Sequence, residues 1–463
     1  MDQTLPASPR RSPAAPAPDD DFAERARALR PIYFVVVVWG EHFTDLLLQF
    51  CIPALLSPNN IPALHNRGNR FLIATTDEDW QRIEVHPVAA LLRQHAELVF
   101  IRIPPPAEGV SFHLHMGVGH KLATQMAFEH RVYAVVLTPD LIVSDGSIAL
   151  AQKHATEGVH LVLMPALRFG EEPLFEHLAK LGVASIDSRL GDHGRPLVAT
   201  GRQLAWAGIL SFHSETLTYE WDASHFSAFP QACWWHVPGE DGIVLHSLSW
   251  FPLILDYKAV AEHDSSVMDS STIDGDYLDR NFGPGARMYV VEDSDEAMLV
   301  SWAPLAERAC SLAPNPEFER PLIGEWLKGL RFYEALCDPR FDPLKRNLFA
   351  RPVFWHGGEI NEPRWRAAEG MAARILRKYA GTLIGEAALR TESPVDAGRT
   401  LPTTALKIAW LIRAISQALM LFRHYWNHRW RVLGIARLAI RGDADARSRV
   451  KRSLRNLLWL DKR

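Results

Sequence analysis

Three places in this chain set polar or stacking side chains directly after an apolar, β-branched run. Ile32–Val38 (IYFVVVV) leads into Trp39-Gly40-Glu41, Phe71–Ala74 into Thr75-Thr76-Asp77, and Tyr133–Leu137 (YAVVL) into Thr138-Pro139-Asp140. Ligands of open α/β sheets sit in the crevice at the carboxyl ends of the strands, so these residues are the candidates for chemistry. Trp39 offers a flat face for stacking on a base, and Gly40 lets a ligand approach the backbone. The alternative for this turn is a tight strand-to-helix connection with Trp39 filling the core. Thr75-Thr76-Asp77 also suits the N-cap of a helix over Glu78–Ile83.

A second group is rich in histidine and lysine. The alternation in His113-Leu114-His115 places both imidazoles on one face of a strand, but no acidic partner stands at metal-ligand spacing. His120 and Lys121 fall in the opening turn of a helix over Gly119–His130, where phosphate contact is the expectation and a solvated loop the alternative. Asp145, in Ser144-Asp145-Gly146-Ser147 before a helix, is expected to act as a cap. Farther on, Asp256, Asp269, Asp274, Asp276 and Asp279 make the second half acidic, and Gly275 between Asp274 and Asp276 shapes a turn that could aim two carboxylates at one site.

These residues need elements to hold them. Five apolar runs alternate with helical stretches from Ile32 to Met164 (the third and fifth are Leu98–Ile103 and His160–Met164), which predicts an α/β domain around a mostly parallel sheet. From Ser211 to Pro304 the pattern becomes strands (Ala232–Val237, Ile243–Leu255, Ala286–Val291) joined by long loops. Beyond Arg320 the chain reads as helical, with an amphipathic segment at Pro363–Tyr379. At 463 residues, 48% apolar and 22% charged, the chain can bury a large core. Whole-chain disorder, collagen-like repeats and a disulfide-stapled miniprotein are excluded. The four cysteines form no CxxC pair, which points to a reducing, cytoplasmic setting.

The run YAVVLTPDLIVSDGSIAL resembles the GT-A-type, nucleotide-sugar-dependent glycosyltransferases, whose fourth strand ends in a DxD-like motif before a turn into a helix. IYFVVVVWGEHFTDLLLQFCIPALL is similar to the opening strand and helix of that fold. The resemblance covers about Arg30 to Pro304 and is strongest over Ile32–Met164. It implies a GT-A-like, mostly parallel (Rossmann-like) domain followed by a mainly helical C-terminal region. It further implies that Trp39, Gly40, Glu41, Thr76 and Asp77 bind nucleotide, with His120 and Lys121 near the donor phosphates. Asp140, with His246 downstream, would hold a divalent cation (Mn or Mg) on the donor diphosphate. Thr138 stands where the first Asp of the motif would fall, so the motif is degenerate. Lys121, Arg168 or a helix N-terminus could then neutralise the phosphates without metal. A transferase of the inverting type needs a general base, for which Asp269, Asp274 and Asp276 are the candidates.

The expected division is a disordered lead (1–30), the GT-A-like domain (31–310), a helical extension and linker (311–400, with Thr391–Pro402 as linker) and a basic amphipathic tail (401–463). Residues 405–463 hold 14 Lys and Arg against 3 Asp and Glu, so they carry +11 and the rest of the chain −15. With Trp410, Trp426, Trp430 and Trp459 among its cations, the tail suits an anionic membrane surface; a helical hairpin packed on the body is the alternative. No run of 18 uncharged apolar residues occurs, and no DNA partner is expected. The function expected is transfer of a sugar from a nucleotide donor to a glycan or lipid-linked acceptor of the cell envelope, at the cytoplasmic face of the membrane and peripheral to it. A membrane-docked, non-catalytic scaffold with a degenerate nucleotide-sugar fold and a nucleotidyltransferase are the alternatives.

Overall fold

The computed structural model describes residues 20–384, apart from 109–110, 185–194, 228–230, 270–272, 274, 284, 320–323, 326, 330 and 332–347. Most of the expected lead, the linker Thr391–Pro402, the tail and Asp274 therefore lie outside the described residues.

Thirteen strands are described, in three sheets. The central sheet holds β1 (Ile32–Val37), β2 (Arg70–Thr75), β3 (Glu97–Arg102), β4 (Tyr133–Leu137), β6 (Leu161–Pro165), β10 (Trp250–Asp256) and β11 (Met288–Val290), in the order β11-β6-β10-β4-β1-β2-β3. Six run parallel and β10 alone is antiparallel. A second sheet is formed by β5 (Leu141–Val143), β12 (Leu299–Ala303) and β7 (Arg168–Gly170). The third contains β13 (Val353–His356), β9 (Gly242–Ser247) and β8 (Ala232–His236). This is a Rossmann-like α/β domain, and the described chain ends in a helix, Glu362–Ile384.

The sequence explains the centre of this arrangement. Every residue of β1 is buried, as a strand covered on both faces requires, and its run of valines, one tyrosine and one phenylalanine presents no polar side-chain atom except the Tyr33 hydroxyl. Phe34 pairs with Phe71 on one side and Val135 on the other, and the two phenyl rings stack with centroids 5.9 Å apart. From β1 the chain steps outward to β2 and β3, then returns with β4 to the other side of β1. The strand order thus reverses between β1 and β4, which is where the carboxyl edge opens into a crevice.

Four expectations are corrected, the first being that His120 and Lys121 open a helix: they lie about two turns inside Phe112–Glu129. His113 and His115 are not on a strand: the helix begins at Phe112 and runs to Glu129. Residues two apart on a helix face different ways, so His113 is exposed while His115 is buried. Ile243–Leu255 is not one strand but two, β9 and β10, in different sheets, parted at Leu248-Ser249. Asp145 does not cap its helix. Gly146 stands at the N-cap with φ 98°, and Asp145 instead accepts hydrogen bonds from the Asn59 backbone and side-chain amides at 2.8 and 2.7 Å. Among the described residues no helix is long and apolar enough to cross a membrane.

Candidate functional site

Two cavities open along the carboxyl edge. The first, about 660 Å³, lies beyond β1, β2 and β3 and is lined by Trp39, Gly40, Thr76, Asp77, Arg102 and Pro104–Pro106, among others. Its floor is organised by Asp79, which is 5% exposed. The Asp79 carboxylate accepts from the Gly40 N–H (2.9 Å), the Thr76 hydroxyl (2.7 Å) and the Thr44 hydroxyl (3.1 Å). One buried carboxylate thereby ties the loop after β1 to the loop after β2. Thr76 caps the helix Asp77–Val85, its hydroxyl accepting from the Asp79 N–H. Gly40 sits at φ 79°, a left-handed conformation that costs an L side chain strain even though the space around it is open. The Trp39 ring is braced edge-on by His115, with centroids 4.6 Å apart, and Arg102 pairs with Asp77 at 2.8 Å across the wall.

The second cavity, about 290 Å³, lies beyond β4 and β6 and is lined chiefly by polar side chains: Asp140, Arg168, Glu215, Tyr219, Gln231 and Ser301, with Trp302 among the apolar ones. Asp140 Oδ2 accepts from the Ser301 hydroxyl at 3.1 Å. Burial pushes the Asp140 carboxyl above the usual range, against the opposing pull of hydrogen bonds from Thr138 and Ser301 and the charge of Arg168. The short helix Ser214–Leu217 is tied to the strand carrying Arg168: the Thr216 hydroxyl and the His213 N–H both donate to the Arg168 carbonyl, at 2.7 and 3.2 Å. Glu215 and Arg168 are held together by that backbone lock.

The remaining expected site residues are more scattered. Glu41 is exposed, 3.6 Å from Arg82, and lines neither cavity. Lys121 pairs with Asp269, so two sequence candidates do meet, but neither lines either cavity. Asp276 pairs with Arg280 one helical turn on, at 3.2 Å. His120 is buried with both ring nitrogens unpartnered among the described residues, and burial lowers its pKa to about 4. Asp256 lies at the opposite edge of the sheet, opposite Tyr133 at the start of β4, paired with Arg30 at 2.7 Å.

The expected cation pair does not form one donor set. His246 lies in β9, buried against Trp235 and Phe349, with its Nδ1 donating to the Phe349 carbonyl at 2.9 Å; it does not line the Asp140 pocket. Asp140 is left with Thr138 at the other motif position, so no step is assigned to a cation there. Ligand atoms converge elsewhere. Asp293 and Asp295, just beyond β11, and His356, at the end of β13, bring one oxygen or nitrogen each within 4.8 Å of one another, a group that could hold a metal ion. Its present bonding is that of an ion-pair network. Arg202 grips both oxygens of Asp295 at 2.8 and 2.9 Å, and His356 donates Nδ1–H to the Gly358 carbonyl while its Nε2 lies 2.9 Å from Asp293.

No family model matches the chain, and no curated protein matches it. Among solved structures it is similar to a glucose-1-phosphate thymidylyltransferase from Bacillus anthracis, crystallised in complex with a sucrose. The two are 8% identical over 31% of this chain, with a TM-score of 0.20. The match spans 57% of that protein, a little over half its length, and a likeness this slight carries no argument.

Sequence reasoning missed Asp79, Glu215 and Tyr219. Asp79 had a local signal, three residues after a capping Thr. Glu215 had none, because His213–Tyr219 carries no motif and reaches the site only through the packing of β7 and the short helix.

Proposed function

We propose that this chain transfers a sugar from a nucleotide-sugar donor, with the nucleotide in the first cavity and the sugar and acceptor in the second. The observation that carries the reading is the pairing of two unlike cavities on neighbouring strand ends at the β1/β4 switch point. One is the larger and is walled by Trp39; the other is small and sets two carboxylates and a guanidinium beside Trp302. Trp39 would stack on the base, and the hydroxyls and carboxylates of Thr76 and Asp77 would take its ribose or base edge. Polar side chains beside one tryptophan, as in the second cavity, suit a sugar ring.

Bond cleavage to the anomeric carbon puts negative charge on the departing diphosphate. Arg168 is the cation this pocket offers to it, five N–H donors in a rigid fork that matches phosphate oxygens. Asp140, on the pocket wall, would accept from a sugar hydroxyl. The acceptor we infer is a glycan or lipid-linked glycan of the cell envelope at the cytoplasmic membrane face, a reading supported only by the basic, tryptophan-rich sequence of residues 405–463.

The test is a melting-temperature screen of the full chain against nucleoside diphosphates and nucleotide sugars. A ligand at 100 times its Kd adds about 2.7 kcal/mol of stability, and Trp39→Ala should remove most of that gain. Absence of any nucleotide-dependent shift would overturn the proposal. Release of inorganic pyrophosphate from a nucleoside triphosphate and a sugar phosphate would instead make the chain a nucleotidyltransferase.

A further inference from the structure

Glu215 lines the second cavity with unequally committed oxygens. Oε1 accepts from the Tyr219 hydroxyl at 3.1 Å, while Oε2 has no hydrogen bond among the described residues and only the Arg168 Nε at 3.8 Å. Burial first, then the charge of Glu215, pushes the Tyr219 hydroxyl far up, so Tyr219 remains a donor at any working pH. The guanidinium of Arg168 is similarly uncommitted. It reaches Glu215 at 3.8 Å and Glu307 at 3.7 Å and makes no hydrogen bond among the described residues. A lone pair and a set of N–H donors thus face one small cavity, both left for something that enters it. By contrast, Asp269 and Asp276 are each answered by a basic side chain outside that cavity.

We propose that Glu215 is the general base of the transfer, acting through Oε2, and that Tyr219 is the positioning residue that holds Oε1; this rests on the nucleotide-sugar reading above. The acceptor hydroxyl gives its proton to Oε2 as its oxygen forms the new bond to the anomeric carbon. The bond from that carbon to the diphosphate breaks, and its electron pair leaves with the nucleoside diphosphate beside Arg168. Glu215 ends the step protonated and returns the proton to solvent. A single displacement of this kind inverts the anomeric configuration.

The test uses the full chain with UDP-glucose, UDP-N-acetylglucosamine and GDP-mannose as probes, water serving as acceptor. Nucleoside diphosphate release is followed, and the anomer of the freed sugar is read by NMR. Positioned general bases contribute typically 10²–10⁴-fold, so Glu215→Gln should lower turnover by about that factor while the donor-induced melting shift persists. Glu215→Asp should retain more turnover than Glu215→Gln, and Tyr219→Phe should lower kcat more than it raises KM.

Turnover by Glu215→Gln within a few-fold of wild type, or retention of anomeric configuration, would overturn the assignment while leaving the transferase standing. Equal loss of donor binding and turnover would make Glu215 a binding residue and overturn it as well. If the wild type shows no melting shift with any of the three donors, the underlying transferase reading fails, and the base assignment with it.

Discussion

Asp140 shows how one residue can work against stability and for function. Burial raises its carboxyl pKa in the folded chain, so the folded protein holds a proton there that the unfolded chain releases at lower pH. A group shifted in that direction favours the fold below its unfolded value and loses that contribution as pH rises through the folded one. Carrying its charge in this pocket is therefore a cost, tolerated where a ligand is to be met. Asp140→Asn should raise the melting temperature at pH 7 by about 1–2 °C, since roughly 1 kcal/mol moves the midpoint of a chain this long less than that of a small domain. The same variant should lower sugar transfer by about 100-fold or more, if the carboxylate's charge is what the pocket supplies. A lower melting temperature at pH 7 would show that the Thr138, Ser301 and Arg168 contacts outweigh burial.

The elements are fixed by close approaches as much as by propensity. Within the helix Phe112–Glu129, a Cβ at Gly119 would lie 2.7 and 2.8 Å from the two Val37 methyls and 2.9 Å from the Ala74 Cβ. Gly119 is thus what lets this helix lie flat on the carboxyl ends of β1 and β2, beside Trp39. Overpacking costs about 1–3 kcal/mol and alanine regains only about 1 kcal/mol of helix propensity. Gly119→Ala should therefore lose up to about 2 kcal/mol in urea denaturation, and weaken any nucleotide-dependent shift. The network around His356 joins β13, the Asp293–Asp295 loop and the helix Gly201–Ile209. Burial alone would lower the His356 pKa, but the Asp293 hydrogen bond, the Gly358 carbonyl and the charges of Asp293 and Asp295 outweigh it and raise it. That stabilisation is fully present below the unfolded value, about 6.5, and is lost as pH rises through the higher folded one. The stability gap between wild type and His356→Gln should be widest near pH ~6 and shrink toward pH ~8. A gap that does not change with pH would mean a neutral imidazole throughout.

Across the whole molecule, much of the frame was legible from composition and periodicity. Continuous β-branched runs can satisfy their backbone and bury both faces only inside a covered sheet, so β1, β2, β3, β4 and β6 could be read to within two residues. Thr76 as a cap and Trp39, Gly40 and Asp77 as neighbours in one cleft followed from the rule that parallel strands present their ends along one edge. What the sequence alone determined is this local chemistry, because hydrogen bonding and alternation act over a few residues. Only the tertiary structure decided which distant segments meet. It split Ile243–Leu255 between two sheets, turned His113 and His115 onto different helix faces, and parted His246 from Asp140. It also brought Glu215 and Arg168, 47 positions apart, to one cavity, and converged Asp293, Asp295 and His356. The reason is physical: such contacts are set by the order and packing of strands, and strand order is a property of the folded sheet that no short window of residues contains.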